Sequence, residues 1–245
     1  MIRATSPPNV PTHPSNPRPP LPRLLITAGP THEPIDAVRY IGNRSSGRLG
    51  IALADRAAAT GWSVTLLLGP TGLTPADSRV RVFRFRTTAE LDVLLRQEFP
   101  ACEALIMAAA VADYRPRSTS DSPANKLRRE DRNLTITLEP TPDLLAGVAA
   151  GKRPDQVVVG FALEPSDRLM DSAAAKLTRK SLDMVVANPL ETMEALTIDA
   201  TLLRSDGSVV HLPPAIDKPQ FAALLLDDVR AAVAAKMAKL SGASA

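Results

Sequence analysis

The sequence predicts a doubly wound α/β fold, in which a mostly parallel, Rossmann-like sheet is covered by helices on both faces and extended by a small β-hairpin. Two observations carry this prediction. Short apolar runs alternate with segments of helical periodicity along most of the chain. Only 3% of the residues are aromatic although 44% are hydrophobic, so the core must be built mainly from Val, Leu, Ile and Ala. A chain of 245 residues suits one large domain.

The predicted strands are short apolar runs that end at turn residues. The first runs into Ala28-Gly29-Pro30 and the second is closed by Gly69-Pro70. The strands are predicted at Arg23–Thr27, Trp62–Leu68, Val80–Phe85, Leu105–Val111, Leu134–Leu138, Val157–Phe161 and Met184–Ala187, and a hairpin at Leu202–Leu212 turns around Ser205-Asp206-Gly207.

Between these runs, periodicity and capping signals indicate helices. Leu49, Leu53 and Ala57 have helical spacing and precede a glycine at position 61, where a helix C-cap belongs. Thr87 and Glu90 form a capping box. The helices are predicted at Ser46–Thr60, from Thr87 to about Phe99, and at Pro142–Ala150, Arg168–Lys180 and Lys218–Leu240.

Two segments do not follow the alternation. Residues 1–22 contain eight prolines and few apolar side chains, which predicts a disordered leader before a single domain at 23–245. Residues 115–133 are polar and basic and follow the most apolar strand, at the end of the sheet where α/β proteins bind ligands. A flexible active-site loop over an anion is one interpretation, and a solvated loop without a role is the other.

Composition excludes several classes of function. The formal charge is only +3 and the basic residues are scattered, which gives no support for nucleic-acid binding. No run approaches the roughly 18 apolar residues of a membrane span, and the N-terminus lacks a secretory signal, so a cytoplasmic location is expected. Cys102 is the single cysteine and is expected in or near the core. His32 and His211 have no evident metal or triad partners, and His13 lies in the leader.

The most informative stretch is Gly42–Gly50. Gly42 and Gly47 have the glycine spacing of a P-loop, but Arg48-Leu49 replaces its Lys-Ser/Thr, so a standard P-loop is excluded. Small residues still precede a helix N-terminus here, and the hydroxyls of Ser45 and Ser46 can donate to an anion. Equally, Ser45 could cap the helix and Gly47 could simply permit close packing.

Several motifs, taken in order, resemble the phosphopantothenoylcysteine synthetase family over about residues 23–230. They are Thr27–Asp36, Val38–Ile41, Asn43–Gly50, Ala109–Arg115, Lys126–Arg129, Val158–Ala162 with Glu164, the pair Lys176 and Lys180, and Asp183–Asn188. The sequence departs from the family pattern at Arg128 and Arg129, at Pro189, and over Glu194–Asp199.

The resemblance implies a ligase of coenzyme A biosynthesis. The carboxylate of 4′-phosphopantothenate would attack the α-phosphorus of CTP, releasing pyrophosphate, and the amine of cysteine would then displace CMP from the acyl-cytidylate. The resemblance also implies dependence on Mg²⁺ and a homodimer. No flavin-dependent decarboxylase domain is expected within this chain, so a separate decarboxylase would act on the product.

The resemblance also implies roles for individual residues. Asn43 and Lys126 would be catalytic, Asp113 would bind the metal or the ribose, and Arg39, Asn43 and Ala110 would contact the substrate. The nucleotide would be bound by Gly29, Ser45, Ser46, Gly47, Met107, Ala108, Ala109, Asp113, Lys126, Gly160, Phe161, Ala162, Leu163, Lys176 and Lys180. From chemistry alone, Asn43 could be a turn residue, the lysines could be solvated, the apolar residues could be plain core, and Arg39 could form a structural ion pair.

Two other functions remain open at this point. The first is an NAD(P)-dependent oxidoreductase, which would need a ribose-binding acid after the second strand, where Leu68-Gly69-Pro70 offers none. The second is a non-catalytic nucleotide-binding protein descended from the synthetase.

Overall fold

The computed structural model describes residues 21–117, 126–128, 131, 133–192 and 195–242. The predicted leader lies outside these residues except for Leu21 and Pro22, as does much of the basic segment 115–133. The prediction that the leader is disordered therefore stays a prediction.

Strands and helices alternate along the described chain. The strands are β1 (Arg23–Ala28), β2 (His32–Pro34), β3 (Tyr40–Gly42), β4 (Ser63–Leu68), β5 (Arg81–Arg84), β6 (Ala104–Met107), β7 (Tyr114–Pro116), β8 (Leu138–Pro140), β9 (Val157–Glu164), β10 (Met184–Pro189), β11 (Thr197–Ile198), β12 (Thr201–Arg204), β13 (Val209–His211) and β14 (Ile216–Asp217). The helices are α1 (Arg48–Ala59), α2 (Thr88–Glu98), α3 (Leu144–Ala150), α4 (Leu169–Arg179) and α5 (Lys218–Gly242).

An eight-stranded sheet in the order β13-β12-β10-β9-β6-β1-β4-β5 forms the centre of the fold. The six strands from β10 to β5 are parallel, and β12 and β13 extend the sheet as the predicted antiparallel hairpin. After β1 the chain proceeds outward through β4 and β5, then returns to place β6 on the other side of β1. The topological switch point therefore lies between β1 and β6, where doubly wound sheets bind ligands. The predicted fold class is confirmed.

Helices cover both faces of this sheet, as the alternating sequence pattern predicts. One apolar cluster joins the sheet to α1 and α5, and it includes Leu53 and the fully buried Phe221. The other joins the opposite face to α2, α3 and α4 through residues such as Leu91 and Leu145. Cys102 is buried in the second cluster, as expected from its sequence context.

Several predicted boundaries differ from the structure, and three of them do so for a clear local reason. Helix α1 begins at Arg48 rather than Ser46, because Gly47 adopts a left-handed conformation with φ 75° immediately before it. Strand β6 ends at Met107, because the chain beyond it keeps only scattered main-chain hydrogen bonds to the end of β1, from the amides of Ala108 and Ala110 to Thr27 O and Gly29 O. Residues 134–137 are irregular, and the strand predicted there begins only at Leu138, where the chain pairs with β7.

Three small two-stranded sheets, β2–β3, β7–β8 and β11–β14, were not predicted. Their strands have only two or three residues each, too few to show a period of two in the sequence. Within the described part of the chain, no helix is both long and apolar enough to cross a membrane.

Candidate active site

A cleft of about 680 Å³ opens at the carboxyl ends of the central strands, at the switch point between β1 and β6. Most of the predicted site residues meet there although they come from separate segments of the chain. The predicted residues that line the cleft are Asn43, Ser45, Ser46, Gly47, Met107, Ala108, Ala109, Ala110, Asp113, Phe161, Ala162, Leu163, Lys176 and Lys180.

The first wall of the cleft is the turn that leads into α1. Gly47 is the N-cap of this helix and makes no side-chain capping bond, so the interpretation of Ser45 as the cap is wrong. The carbonyl of Ser46 accepts a hydrogen bond from Thr71 Oγ1 at 3.0 Å, which fixes the turn from behind. Gly47 to Gly50 all border the cleft. The first amides of a helix without a side-chain cap are suited to binding an anion.

The second wall is the loop after β6, which is held against the end of β1 by main-chain hydrogen bonds. The amide of Ala108 donates to Thr27 O at 3.2 Å, and the amide of Ala109 donates to Thr27 Oγ1 at 3.0 Å. The amide of Ala110 donates to Gly29 O at 2.9 Å. Because these side chains are small, a ligand can approach the backbone of the loop closely.

Asn43 connects the two walls. Its Nδ2 donates to the main-chain carbonyl of Val111 at 2.9 Å. A carboxamide has a second N–H and an oxygen, so this bond orients the side chain while leaving polar atoms that a ligand can use. This bond fixes where the Asn43 side chain lies at the cleft, and the catalytic role predicted for it stays a prediction.

The third wall is formed by the end of β9 and by α4. Lys176 Nζ donates to Phe161 O, and burial, together with the charge of Lys180, lowers the pKa of the Lys176 ammonium. Lys180 Nζ lies 2.7 and 2.8 Å from the two carboxylate oxygens of Asp143. Burial alone would raise the pKa of Asp143, but hydrogen bonds from Lys180 and from the amide of Ala146 lower it. The two lysines therefore belong to the cleft and not to an ordinary exposed face of α4.

Sequence reasoning missed several charged residues of the cleft. Arg44, Arg48, Arg179 and Lys218 also line it, and burial and the charge of Arg48 lower the pKa of Lys218. With Lys176 and Lys180, they give six basic residues against the three acidic residues Asp113, Asp143 and Glu164. Arg44 and Arg48 stand inside the motif, but Lys218 reaches the cleft from α5, which no local signal could reveal. The excess of positive charge suits an anionic ligand.

Four predicted residues do not line the cleft. Gly29 lies behind Gly47, and a β-carbon added to Gly29 would come 3.3 Å from the backbone of Gly69. Gly160 is buried in β9, where an added β-carbon would come 2.8 Å from Leu145 Cδ2. Both glycines therefore permit close packing beneath the site. Arg39 and the exposed Lys126 are not among the residues that line the cleft.

Arg39 forms an ion pair with Asp36, the structural alternative that the sequence left open. The amide of Leu127 also donates to this carboxylate, at 3.0 Å. The backbone next to Lys126 is therefore bound to the hairpin of β2 and β3. The same hairpin leads directly into Asn43.

Among the described residues, no group of three or more His, Cys, Asp or Glu side chains could hold a resident metal ion. Asp113 borders the cleft beside the loop after β6. A single carboxylate suits Mg²⁺ that arrives on a phosphate ligand, since Mg²⁺ takes one or two carboxylates and completes its shell with phosphate and water.

Comparison with known proteins assigns the chain to a family. Residues 22–233 match the model described as the DNA/pantothenate metabolism flavoprotein C-terminal domain. The chain belongs to this family. Membership is consistent with the motifs seen in the sequence, which occur over nearly the same range.

The relatives that match carry this domain within longer proteins. The coenzyme A biosynthesis bifunctional protein CoaBC of Vibrio cholerae is 43% identical over 68% of this chain and 41% of its own length. CoaBC of Escherichia coli K12 is 37% identical over 84% of this chain and 51% of its own length. A prokaryotic protein named cysteine/cysteine sulfinic acid decarboxylase is 48% identical over 69% of this chain and 46% of its own length. The chain thus spans about half the length of these relatives.

Solved structures agree with the family assignment. The C-terminal domain of a CoaBC protein superposes with a TM-score of 0.71 at 34% identity, covering 85% of this chain and 93% of that domain. A Cab2 mutant in complex with phosphopantothenate-cysteine superposes with a TM-score of 0.75, but at 20% identity it supports the fold alone.

Proposed function

We propose that this protein joins 4′-phosphopantothenate to cysteine, using CTP and passing through an acyl-cytidylate. The observation that carries the proposal is the cleft at the switch point of the sheet. It gathers motif residues of the synthetase family from the segments after β3, β6 and β9. Membership of the family that includes the C-terminal domain of CoaBC supports the same assignment.

In the first step, the cleft would hold the nucleotide and make its α-phosphorus open to attack by a carboxylate. The first turn of α1, Lys176 and Lys180 supply positive charge for the phosphates. A phosphate beside Lys176 would offset the burial that lowers the pKa of this lysine, and would stabilise its charged form. The main-chain groups of Ala108 and Ala109 and the end of β9 at Phe161, Ala162 and Leu163 would contact the base and ribose.

Asn43 and Lys126 would act on the reacting groups. The Asn43 amide, oriented by Val111 O, would donate to the acyl oxygen as negative charge develops on it in either step. Lys126 would neutralise charge on the phosphoryl oxygens and on the intermediate. In the second step, the amine of cysteine attacks the acyl carbon, an amide forms, and CMP leaves with the electron pair of the broken C–O bond.

The remaining parts of the proposal rest on the resemblance. Mg²⁺ would enter with the triphosphate, with Asp113 as its protein ligand, and would neutralise phosphate charge. We propose CTP rather than ATP as the nucleotide because the sequence resembles the bacterial branch of the family. A homodimer, a cytoplasmic location and a separate decarboxylase that consumes the product complete the proposal.

The test is pyrophosphate release by purified protein with Mg²⁺, 4′-phosphopantothenate and cysteine, comparing CTP with ATP and omitting each substrate in turn. We expect release that requires CTP and phosphopantothenate and falls to a small but measurable rate in Lys126→Gln. Lys239→Gln, which changes an exposed lysine of α5, is the matched control and should keep full activity.

Failure of the assay would separate the alternatives. Folded protein that binds CTP without turnover would favour the non-catalytic descendant. Turnover of a nicotinamide cofactor would favour the oxidoreductase. The structure offers that function no support, because β4 ends at Leu68 and the residues 69–72 that follow include no carboxylate.

A further inference from the structure

The turn between β2 and β3 contains a buried carboxylate whose two oxygens have different partners. Asp36 is only 3% exposed. Its Oδ1 accepts hydrogen bonds from the amides of Val38 and Arg39, at 2.8 and 2.7 Å, and so shapes the turn itself. These bonds are local and would hold any tight turn of this kind.

The other oxygen faces a distant part of the chain. Asp36 Oδ2 accepts from the amide of Leu127 at 3.0 Å and from Arg39 Nε at 2.9 Å, with Arg39 Nη2 also in contact. Arg39 Nη2 in turn donates to the carbonyl of Leu127 at 3.0 Å. Both main-chain polar groups of Leu127 are therefore bound by one ion pair, which we call the Asp36–Arg39 clamp.

The hairpin that carries the clamp is itself anchored to the sheet. Its buried Glu33 accepts from the amide and the hydroxyl of Thr88, at 2.8 and 2.7 Å, at the start of α2. The amide of His32 donates to Arg86 O at 2.7 Å. The hairpin then continues through β3 directly into Asn43 at the cleft. The hairpin is thus anchored to the start of α2, leads into Asn43 and binds the backbone beside Lys126.

We propose that Asp36 is a positioning residue that holds Lys126 for the reaction. The inference rests on the proposed function for the role of Lys126, while the clamp rests on the contacts alone. Ordering a backbone costs conformational entropy, so a backbone that is already anchored next to Lys126 reduces the entropy that must be lost when this lysine is brought to the reacting groups.

The two oxygens of Asp36 suggest a selective substitution. In Asp36→Asn, one oxygen becomes an NH₂ group with two donors. If the remaining oxygen stays with the turn, the NH₂ group faces the Leu127 amide and the Arg39 guanidinium, which are donors themselves. The clamp would then be lost while the turn and the side-chain volume are kept.

Asp77→Asn is the matched control. Asp77 also pairs with an arginine close in sequence, because its Oδ1 accepts from the amide and the Nε of Arg79, each at 2.9 Å. This pair lies in the loop before β5 and reaches no residue of the basic segment among the described contacts. Thermal unfolding of both variants would establish that they are folded.

The first measurement needs no substrate. Limited digestion with trypsin, followed by mass spectrometry, would give the rate of cleavage after Lys126 and Arg128. We expect cleavage at least about tenfold faster in Asp36→Asn, since the loss of even one hydrogen bond to a charged group raises the open population by about that factor, and the clamp makes two such bonds to Leu127. Asp77→Asn should be cleaved at the wild-type rate. Equal rates in Asp36→Asn and wild type would overturn the clamp, whatever the enzyme does.

Arg39→Gln is a second variant if Asp36→Asn does not fold. It removes the bond to Leu127 O and should also speed cleavage after Lys126 and Arg128. An unchanged rate in this variant would count against the clamp in the same way.

The second measurement tests whether Asp36 acts through Lys126. Pyrophosphate release would be compared in Asp36→Asn, Lys126→Gln and the double variant. A positioning role predicts that the double variant is no slower than Lys126→Gln alone, because the lysine being positioned is already absent. If the rate in the double variant falls by the product of the factors found for the two single variants, the effect of Asp36 is merely structural and the positioning role is refuted. If no variant or wild type releases pyrophosphate, the proposed function fails and the trypsin result still decides the clamp.

Discussion

The close packing of α1 on β1 beneath the cleft leads to a prediction about Gly50. This glycine is buried in the first turn of α1, and a β-carbon added to it would come 2.3 Å from Ala28 Cβ and 3.2 Å from Ala28 Cα. Carbon atoms pack best at about 3.5–4.0 Å. Ala28 ends a central strand, so its β-carbon cannot rotate away. Gly50→Ala must therefore push the start of α1 outward by more than about 1 Å at this point.

The expected effect on stability is the difference of two opposing contributions. Alanine is better than glycine inside a helix by about 1 kcal/mol. Overpacking costs about 1–3 kcal/mol. We expect the upper end of this range here, because Ala28 Cβ is attached directly to the backbone and cannot move aside. We therefore expect Gly50→Ala to lower the free energy of unfolding by about 2 kcal/mol.

Gly147 provides the matched control. It is also a helical glycine, in α3, but an added β-carbon would meet no atom within 4 Å. Gly147→Ala should therefore raise the free energy of unfolding by about 1 kcal/mol. For a chain of this size, 1 kcal/mol corresponds to about 2–4 °C in Tm, so Gly147→Ala should raise Tm by about 3 °C and Gly50→Ala should lower it by about 6 °C.

Thermal unfolding followed by circular dichroism measures both shifts, and calorimetric titration with CTP measures the effect on the site. Moving the start of α1 should weaken CTP binding in Gly50→Ala and leave it unchanged in Gly147→Ala. If Gly50→Ala had a Tm equal to or above that of the wild type, helix propensity would outweigh packing and the reasoning would be refuted.

Three further predictions concern other buried groups. The Asp183 carboxylate is only 9% exposed and lies 2.7 Å from Lys152 Nζ and 2.5 Å from Lys236 Nζ. Asp183→Asn should therefore lower the free energy of unfolding, measured in urea, by about 3 kcal/mol. Asp92→Asn, at an exposed ion pair, should change it by less than about 1 kcal/mol, and similar values for the two variants would contradict this prediction. Because burial and Lys180 lower the pKa of Lys176 below its ordinary 10.5, the unfolded state binds more protons in the window just below 10.5, and stability should rise with pH there. In Lys176→Met, the free energy of unfolding measured in urea should rise less with pH than in the wild type. An identical pH slope in the two proteins would count against the lowered pKa of Lys176. Burial raises the pKa of the Cys102 thiol from 9.0 to about 11, so labelling with a maleimide at pH 8 should be at least about 100-fold slower in native than in urea-unfolded protein, and fast labelling of the native state would refute the buried position.

Much of the fold follows from local patterns in the sequence. Apolar runs such as Trp62–Leu68 and the capping box at Thr87 and Glu90 predict their elements because burial and capping act over a few residues. In the structure, Thr87 caps α2 by accepting from the amide of Glu90. The boundary at Gly47 could not be predicted in the same way, because glycine adopts positive and negative φ about equally well and the sequence does not say which one occurs.

The sequence by itself determined the fold class, the family resemblance and fourteen of the residues that line the cleft, because motif residues and apolar periodicity are properties of short segments. Only the tertiary structure decided which of those residues share one space. It placed Gly29 and Gly160 beneath the cleft, since they allow neighbouring elements to approach closely. It also brought Lys218 to the cleft and Leu127 to Asp36, which lies 91 residues earlier in the chain. Contacts over such distances depend on how strands are ordered in the sheet, and no local pattern encodes that order.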